Sequence, residues 1–194
     1  MKTKQIWKGS ALLAPVPPVL VSCGTDSTAN IITVGWTGII STHPPRLSIS
    51  VRPCRHSYPF ITQQKEFVVN LPTRQLVYAV DWCGVKSGKD VDKFQQMQLT
   101  ASPAHTVSCP IIQESPVNLE CKVFQQIPLG SHDLFLADIT AVQVDESLLD
   151  ANGKLCLENA GLIAYAHGEY FDLGKQLGTF GYSVRKKKKS SKKR

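Results

Sequence analysis

Three polar clusters interrupt otherwise apolar stretches of this 194-residue chain. The first is SVRPCRHSY, with Ser50, Arg52, Arg55, Ser57 and Tyr58. Arginine presents a planar fork of N–H donors matched to phosphate oxygens, and serine hydroxyls add short donors beside it. Two arginines and two serines this close together point to phosphate, and a solvated strand end accounts for them equally well. The second cluster, TVGWTG, holds Thr33, Gly35, Trp36 and Thr37. Its glycines would let backbone approach a flat ring, or they would mark a bulge in a strand whose tryptophan packs in the core. The third, SGKDVDK, brings Ser87, Gly88, Lys89, Asp90 and Lys93 together. It lacks the full GxxxxGK[ST] pattern of a phosphate loop, so alone it reads as a loop and helix cap.

Strands must position these clusters. Val19 to Ser22 and Ala29 to Ser41 are short, apolar and β-branched. Arg46 to Arg52 alternates Leu47, Ile49 and Val51 against Ser48, Ser50 and Arg52, the period-two mark of a strand with one apolar face. A short helix over Arg55 to Lys65 tolerates Pro59 only in its first turn, and EFVVNL after it reads as a buried strand. Thr73 is placed to cap a helix through about Trp82, with Gly84 as its stop. Val117 to Gln126 and Leu134 to Val144 look like an antiparallel pair joined through PLGSHD, and Leu162 to Leu173 adds a late strand. Strands outnumber helices without regular alternation, which favours an antiparallel barrel over a doubly wound parallel sheet.

Composition narrows the function classes. The formal charge is +7, yet residues 185–194 carry eight of the 22 Lys and Arg and none of the 15 acids. Without that stretch 14 bases face 15 acids, so the body is near neutral and nucleic-acid binding by it lacks electrostatic support. The expected organisation is one domain over 1–184 followed by a disordered polybasic tail over 185–194, a solvated tail or an attachment to an acidic surface. Pro15, Pro17 and Pro18 break the apolar stretch near the start, so no run spans a bilayer and no signal peptide is evident. A cytoplasmic location is expected. The six cysteines are at least 12 residues apart, without the close pairs of zinc or redox sites, and read as buried small hydrophobes. No metal site is expected. His43, His56, His105 and His167 show no evident partner in the sequence.

Together the runs ANIITVGWTGIISTHPPRLSISVRPCRHSYPFI, EFVVNLPT, SGKDVDKF, SPVNLEC and GSHDLFLADI resemble the flavin reductase-like proteins, especially the flavoredoxin group. The resemblance runs from about Leu12 to Tyr182, with the motifs in the expected order and spacing. It implies a mainly β fold, a six-stranded antiparallel Greek-key split barrel of the FMN-binding type with a few peripheral helices. It also implies a homodimer with FMN at the subunit interface. Carried over residue by residue, Ser50, Arg52 and Ser57, with Arg55, would hold the phosphate, Val51 lying among them. Asn30, Thr33, Val34, Gly35, Trp36 and Thr37 would line the isoalloxazine ring and ribityl chain, and Ser87 and Lys89 would close one side. His132 matches a histidine near the flavin face, where it would guide a nicotinamide or settle charge on reduced flavin; a histidine capping a turn fits the sequence equally. The expected activity is hydride transfer from NADH or NADPH to FMN, with electrons passed to flavin, iron or a protein acceptor. The alternative is an FMN-bearing electron carrier without nicotinamide activity of its own. A third reading, of another class, is a docking protein that binds an anionic surface through its basic end.

Overall fold

The computed structural model describes residues 2–185. Its strands are β1 (Val19–Cys23), β2 (Asn30–Val34), β3 (Thr37–Thr42), β4 (Pro45–Val51), β5 (Glu66–Leu71), β6 (Ala101–Ser102), β7 (Ile111–Ile112), β8 (Val117–Pro128), β9 (Asp133–Val144), β10 (Ile163–Ala166) and β11 (Glu169–Asp172). Three helices, α1 (Ser57–Gln64), α2 (Val77–Val85) and α3 (Lys93–Gln96), lie between strands. Most of the strands form one antiparallel sheet in the order β2-β1-β5-β8-β9-β4-β3, and β6-β7 and β10-β11 are small separate pairs.

The edge strands of the large sheet, β2 and β3, are consecutive in the chain and joined only by Gly35 and Trp36. Seven strands laid flat would hold their edges roughly 29 Å apart, whereas a two-residue link spans at most about 11 Å. The sheet must therefore curl until its edges meet, and where the link leaves β3 the Ser50 N–H of β4 donates to the Trp36 carbonyl at 2.9 Å, extending the β3–β4 ladder to the seam. The result is the expected mainly β, antiparallel split barrel, with seven strands where six were expected. The extra strand arises because ANIITVGWTGIIS is not one strand: it breaks at Gly35 and Trp36 into β2 and β3, which occupy opposite edges.

Alternation explains how one strand serves two cores. In β1, Val19, Val21 and Cys23 point into the barrel with Ile49, Val51, Phe67 and Phe135. Leu20 points outward and packs with Ile31 of β2 beneath α2, against Leu76, Ala79, Val80 and Cys83. The strand is buried at every position because both faces are covered. β4 is covered on one face only, so Leu47, Ile49 and Val51 are buried while Arg46, Ser48 and Ser50 are partly exposed.

Pro59 does fall in the first turn of α1. The helix expected from Thr73 begins instead as a 3-10 turn over Arg74–Leu76, with no side-chain cap from Thr73, and α2 runs through Gly84 to Val85. Gly84 is not a stop but a contact. A Cβ there would sit 3.3 Å from Cβ of Thr33, so the bare backbone lets α2 press onto β2. The late strand is a hairpin of β10 and β11, turning at His167 and Gly168, both with positive φ. Leu162, at its start, makes only an isolated bridge to Thr73.

Two carboxylates hold the segment between β6 and β7 against the sheet. Glu120 is buried and accepts from the amides of His105 and Thr106, the Thr106 hydroxyl and Gln143 Nε2, while Glu66 accepts from the Ser108 amide and hydroxyl. Burial works against the charge of Glu120, but these donors prevail and hold its carboxyl down at about 2. Four cysteines, Cys23, Cys83, Cys109 and Cys121, are buried thiols; Cys54 is exposed. No helix among the described residues is long and apolar enough to cross a membrane. Of the expected polybasic tail, only Arg185 lies within the described residues.

Candidate functional site

The seam opens into a groove of two adjoining halves of about 150 Å³ each, which share Ile32 and Arg55 in their lining. The first half lies along the barrel edges, between Thr33–Trp36 on one side and Ser50–Arg52 on the other, with His132 at its rim. The β2 edge supplies one wall, the end of β4 the other, and the four-residue loop after β8 carries His132 over the opening. The second half runs under the β4–α1 turn, bounded by Arg55, His56 and Ser57, and by Lys86, Ser87 and Gly88 after α2.

The fold gathers most of the residues singled out in the sequence into this groove. Trp36 is 43% exposed, so it forms a wall of the groove rather than part of the core. Arg52 and Arg55 are exposed, and Arg55 borders both halves. Val34 and Val51 lie buried beneath the floor. Asn30 and Ser57 are buried together, the Asn30 amide donating to Ser57 Oγ at 2.7 Å. Ser57 Oγ thus accepts from Asn30 where the residue lines the second half of the groove. The Thr33 hydroxyl is committed to the Val80 carbonyl, which ties β2 to α2. The Thr37 hydroxyl donates to the Ser48 carbonyl at 2.8 Å, and Thr37 lies outside the groove lining. Ser87 lines the groove, whereas Lys89 faces an adjoining cavity. His132 lines the groove, and its Nδ1 is 2.9 Å from Ser131 Oγ in the turn.

Lys93 is the residue whose place sequence reasoning misses. The SGKDVDK cluster reads as a loop and cap, and Asp92 does cap α3, accepting from the Gln95 amide at 3.0 Å. The next side chain turns inward. Lys93 is 3% exposed, donates from Nζ to the carbonyls of Ile31 (2.8 Å) and Cys83 (2.7 Å), and lines the second half of the groove. Burial holds its pKa below the usual lysine value, and the nearby Arg55 guanidinium adds to the effect. Two carbonyls satisfy two of its three donors, leaving one for the groove. His56 also lines this half, its ring edge-on to Phe60 at 5.1 Å between centroids. The sequence signal for Lys93 is a lysine between a capping aspartate and a buried phenylalanine, too common a pattern to single it out.

Arg52, Arg55, Lys86 and Lys93 border the groove, and no aspartate or glutamate among the described residues lines either half. Such a site attracts anions. The first half is edged by an indole and aliphatic side chains, the second by hydroxyls and cations. The groove thus suits an elongated ligand, flat at one end and anionic at the other.

Residues 12–174 match the family model for the flavin reductase like domain. The flavoredoxin of Desulfovibrio vulgaris (Miyazaki F) superposes with a TM-score of 0.87 at 31% identity, covering 94% of this chain and 100% of that one. An FMN-binding protein from Thermus thermophilus shares the fold, with a TM-score of 0.77 at 24% identity over 92% of this chain and 99% of its own. An NADPH-flavin oxidoreductase of Streptomyces viridifaciens is 24% identical over 152 residues, 76% of this chain and 77% of that protein.

Proposed function

The chain belongs to the flavin reductase-like family, whose chemistry is flavin-based oxidoreduction and electron transfer, and from that premise we propose that it is an FMN-dependent oxidoreductase. In this reading it accepts hydride from NADH or NADPH and passes electrons to flavin, iron or a protein acceptor. The observation that carries the proposal is the groove bordered by Arg52, Arg55, Lys86 and Lys93 without a carboxylate. A buried ammonium that lacks an acid partner is costly unless an anion completes its surroundings. The phosphate of FMN is such an anion.

The donor set fits the whole cofactor. Arg55, Lys93, Ser57 and Ser87 would hold the phosphate at the end where α1 begins and its dipole is positive. Trp36, Gly35 and the β2 edge would flank the ring, with Val34 and Val51 beneath it and Arg52 and Ser50 along its polar side. His132 would stand over the ring face, where an imidazole can receive or share a proton as charge changes. Bound there, FMN supplies the redox chemistry, so the protein itself needs no nucleophile or catalytic triad.

The groove is open on its outer side, and we propose that a second copy of the chain closes it. Trp36, Ile39 and Ile40 at the barrel edge, Ile6 and Trp7 before it, and Leu177 and Phe180 after it are large apolar side chains left exposed. Exposed apolar side chains of this size are the kind that a subunit interface covers. The second reading, an electron carrier reduced by another protein, is favoured by the similarity to flavoredoxin.

One experiment separates the two. Protein loaded with FMN is mixed anaerobically with NADH or NADPH while the flavin absorption band is followed. Bleaching at catalytic rates supports the nicotinamide-dependent enzyme. Bleaching only by a protein donor or dithionite supports the carrier, and absence of bound flavin after loading rejects both.

A further inference from the structure

The β8–β9 hairpin carries His132 over the groove at its turn. At its other end, where Val117 pairs with Val144, a separate cavity of about 350 Å³ opens. It shares no lining residue with either half of the groove, so its ligand is independent of the flavin reading. Asn70, Asn118 and Gln143 are register partners in a row across β5, β8 and β9, on the sheet face opposite the barrel core. Their amides are oriented by neighbours that can only give or only take a hydrogen bond. Asn70 Nδ2 donates to the carbonyls of Leu20 and Val68, so its Oδ1 takes the Ile112 amide at 3.0 Å and Asn118 Nδ2 at 2.7 Å. Asn118 Nδ2 also donates to the Ile112 carbonyl at 3.1 Å, which uses both of its N–H bonds and turns its Oδ1 the other way, into the cavity. Gln143 is fixed likewise, with Nε2 donating to the Glu120 carboxylate at 2.8 Å and Oε1 left on the cavity side.

No donor among the described residues reaches either oxygen, although Asn118 is only 4% exposed. Neither oxygen is sealed from solvent, because Thr62 Oγ1 is the single such side-chain atom without a partner among the described residues. Both therefore open on the cavity, where a ligand N–H would recover the cost of an unmet buried acceptor. The Ser115 hydroxyl is spent on the Leu71 carbonyl, and Asp145 and Glu146 add two exposed carboxylates at the rim. No lysine, arginine or histidine lines the cavity.

We infer that this cavity binds an alkylammonium group, of the kind that a polyamine or a lysine side chain presents. Three N–H donors diverging from one nitrogen match Asn118 Oδ1, Gln143 Oε1 and a rim carboxylate. Ile111 and Val144 supply an apolar wall for the methylene stem. A hard divalent ion asks for more oxygens and more charge than this lining offers, and no group of three or more His, Cys, Asp or Glu among the described residues could hold one.

The full chain, labelled with ¹⁵N, is titrated at low salt with spermidine and with Nα-acetyl-lysine methylamide while the backbone and side-chain amide signals are followed. The side-chain NH₂ signals of Asn118 and Gln143 should shift together and saturate, with a dissociation constant of about 1 mM or tighter that weakens with added salt. Tighter binding of spermidine assigns the site to a free polyamine, and tighter binding of the lysine amide assigns it to a protein lysine. Asp145→Asn/Glu146→Gln, altered at two exposed positions, should weaken binding about fivefold. Gln143→Met, which removes the amide oxygen while Glu120 keeps its other donors, should weaken it about tenfold. The inference is overturned if neither amine saturates these signals, if uncharged 1,5-pentanediol moves them as readily, if calcium chloride binds there more tightly than both amines, or if both variants bind like the wild type.

Discussion

Replacing Arg55 with alanine separates the phosphate end of the groove from the ring end. Arg55 borders both halves, is exposed, and lies near enough to Lys93 for its charge to help hold that amine below the ordinary lysine pKa. A charge-assisted contact to phosphate is worth about 1.5–3 kcal/mol, and each 1.4 kcal/mol is about tenfold in affinity. Loss of Arg55 should therefore weaken FMN binding about 10- to 100-fold. The lower end is expected, because removing the guanidinium also relieves its repulsion of Lys93 and leaves that ammonium better able to serve the phosphate alone. Riboflavin has the same ring and ribityl chain without the phosphate, so its affinity should change less than about threefold. As an exposed substitution, it should shift folding stability by no more than about 0.5 kcal/mol. Calorimetric titration of the wild type and the variant with both flavins, alongside urea unfolding, measures all three quantities. Equal losses for FMN and riboflavin would refute the reasoning, because Arg55 would then act on the ring or on the shape of the groove. An FMN dissociation constant within twofold of wild type would refute it too.

Arg52→Ala should also weaken FMN binding about tenfold without unfolding the barrel, since Arg52 is exposed at the end of β4; unchanged affinity in the same titration would remove it from the site. Alkaline pH should destabilise the fold from pH 9 upward. Burial raises Cys23 and Cys109 to about 12 and Cys83 to about 11, and pushes Cys121 up as well, so these thiols stay neutral when folded but ionise from about 9 when unfolded. Their stabilisation is complete below pH 9 and is lost as pH rises through the folded values. The loss is about 1.4 kcal/mol per thiol by pH 10, on the order of 5 kcal/mol in all, less what the depressed pKa of Lys93 returns. Urea midpoints that stay level from pH 8 to 10 would contradict this. Glu120 works at the opposite end of the scale: its folded value of about 2 lies below the unfolded 4.5, so its contribution is present above 4.5 and lost as pH falls toward 2. That contribution is at most about 3 kcal/mol. Glu120→Gln should abolish most of this acid sensitivity and expose the 103–109 segment to faster amide exchange; protection equal to wild type at the His105 and Thr106 amides would argue against the clamp.

Local pattern settles much of this protein from sequence alone. Strict alternation in Arg46 to Arg52 and the apolar run EFVVNL specify strands because side chains on a pleated backbone leave on alternate faces. The pair around PLGSHD follows for the same reason, and the position of Pro59 limits where α1 can start. Several motifs in one order carry the family, because their joint spacing is far more specific than any single cluster. Arginine and serine types likewise announce an anionic ligand before any coordinates.

Tertiary closure decides the rest. Nothing local in ANIITVGWTGIIS says that Gly35 and Trp36 must join opposite edges of one sheet; that follows only when all the strand pairings are known and the link proves too short for a flat sheet. The same closure brings Trp36 to the groove wall, and packing of α2 over β2 commits the Thr33 hydroxyl to a carbonyl. The role of Lys93 is hidden from the sequence because it depends on which distant carbonyls and charges surround the amine. Short-range sequence fixes periodicity and residue chemistry, whereas burial, charge balance and open space are properties of residues far apart in the chain, and they exist only once the barrel has curled shut.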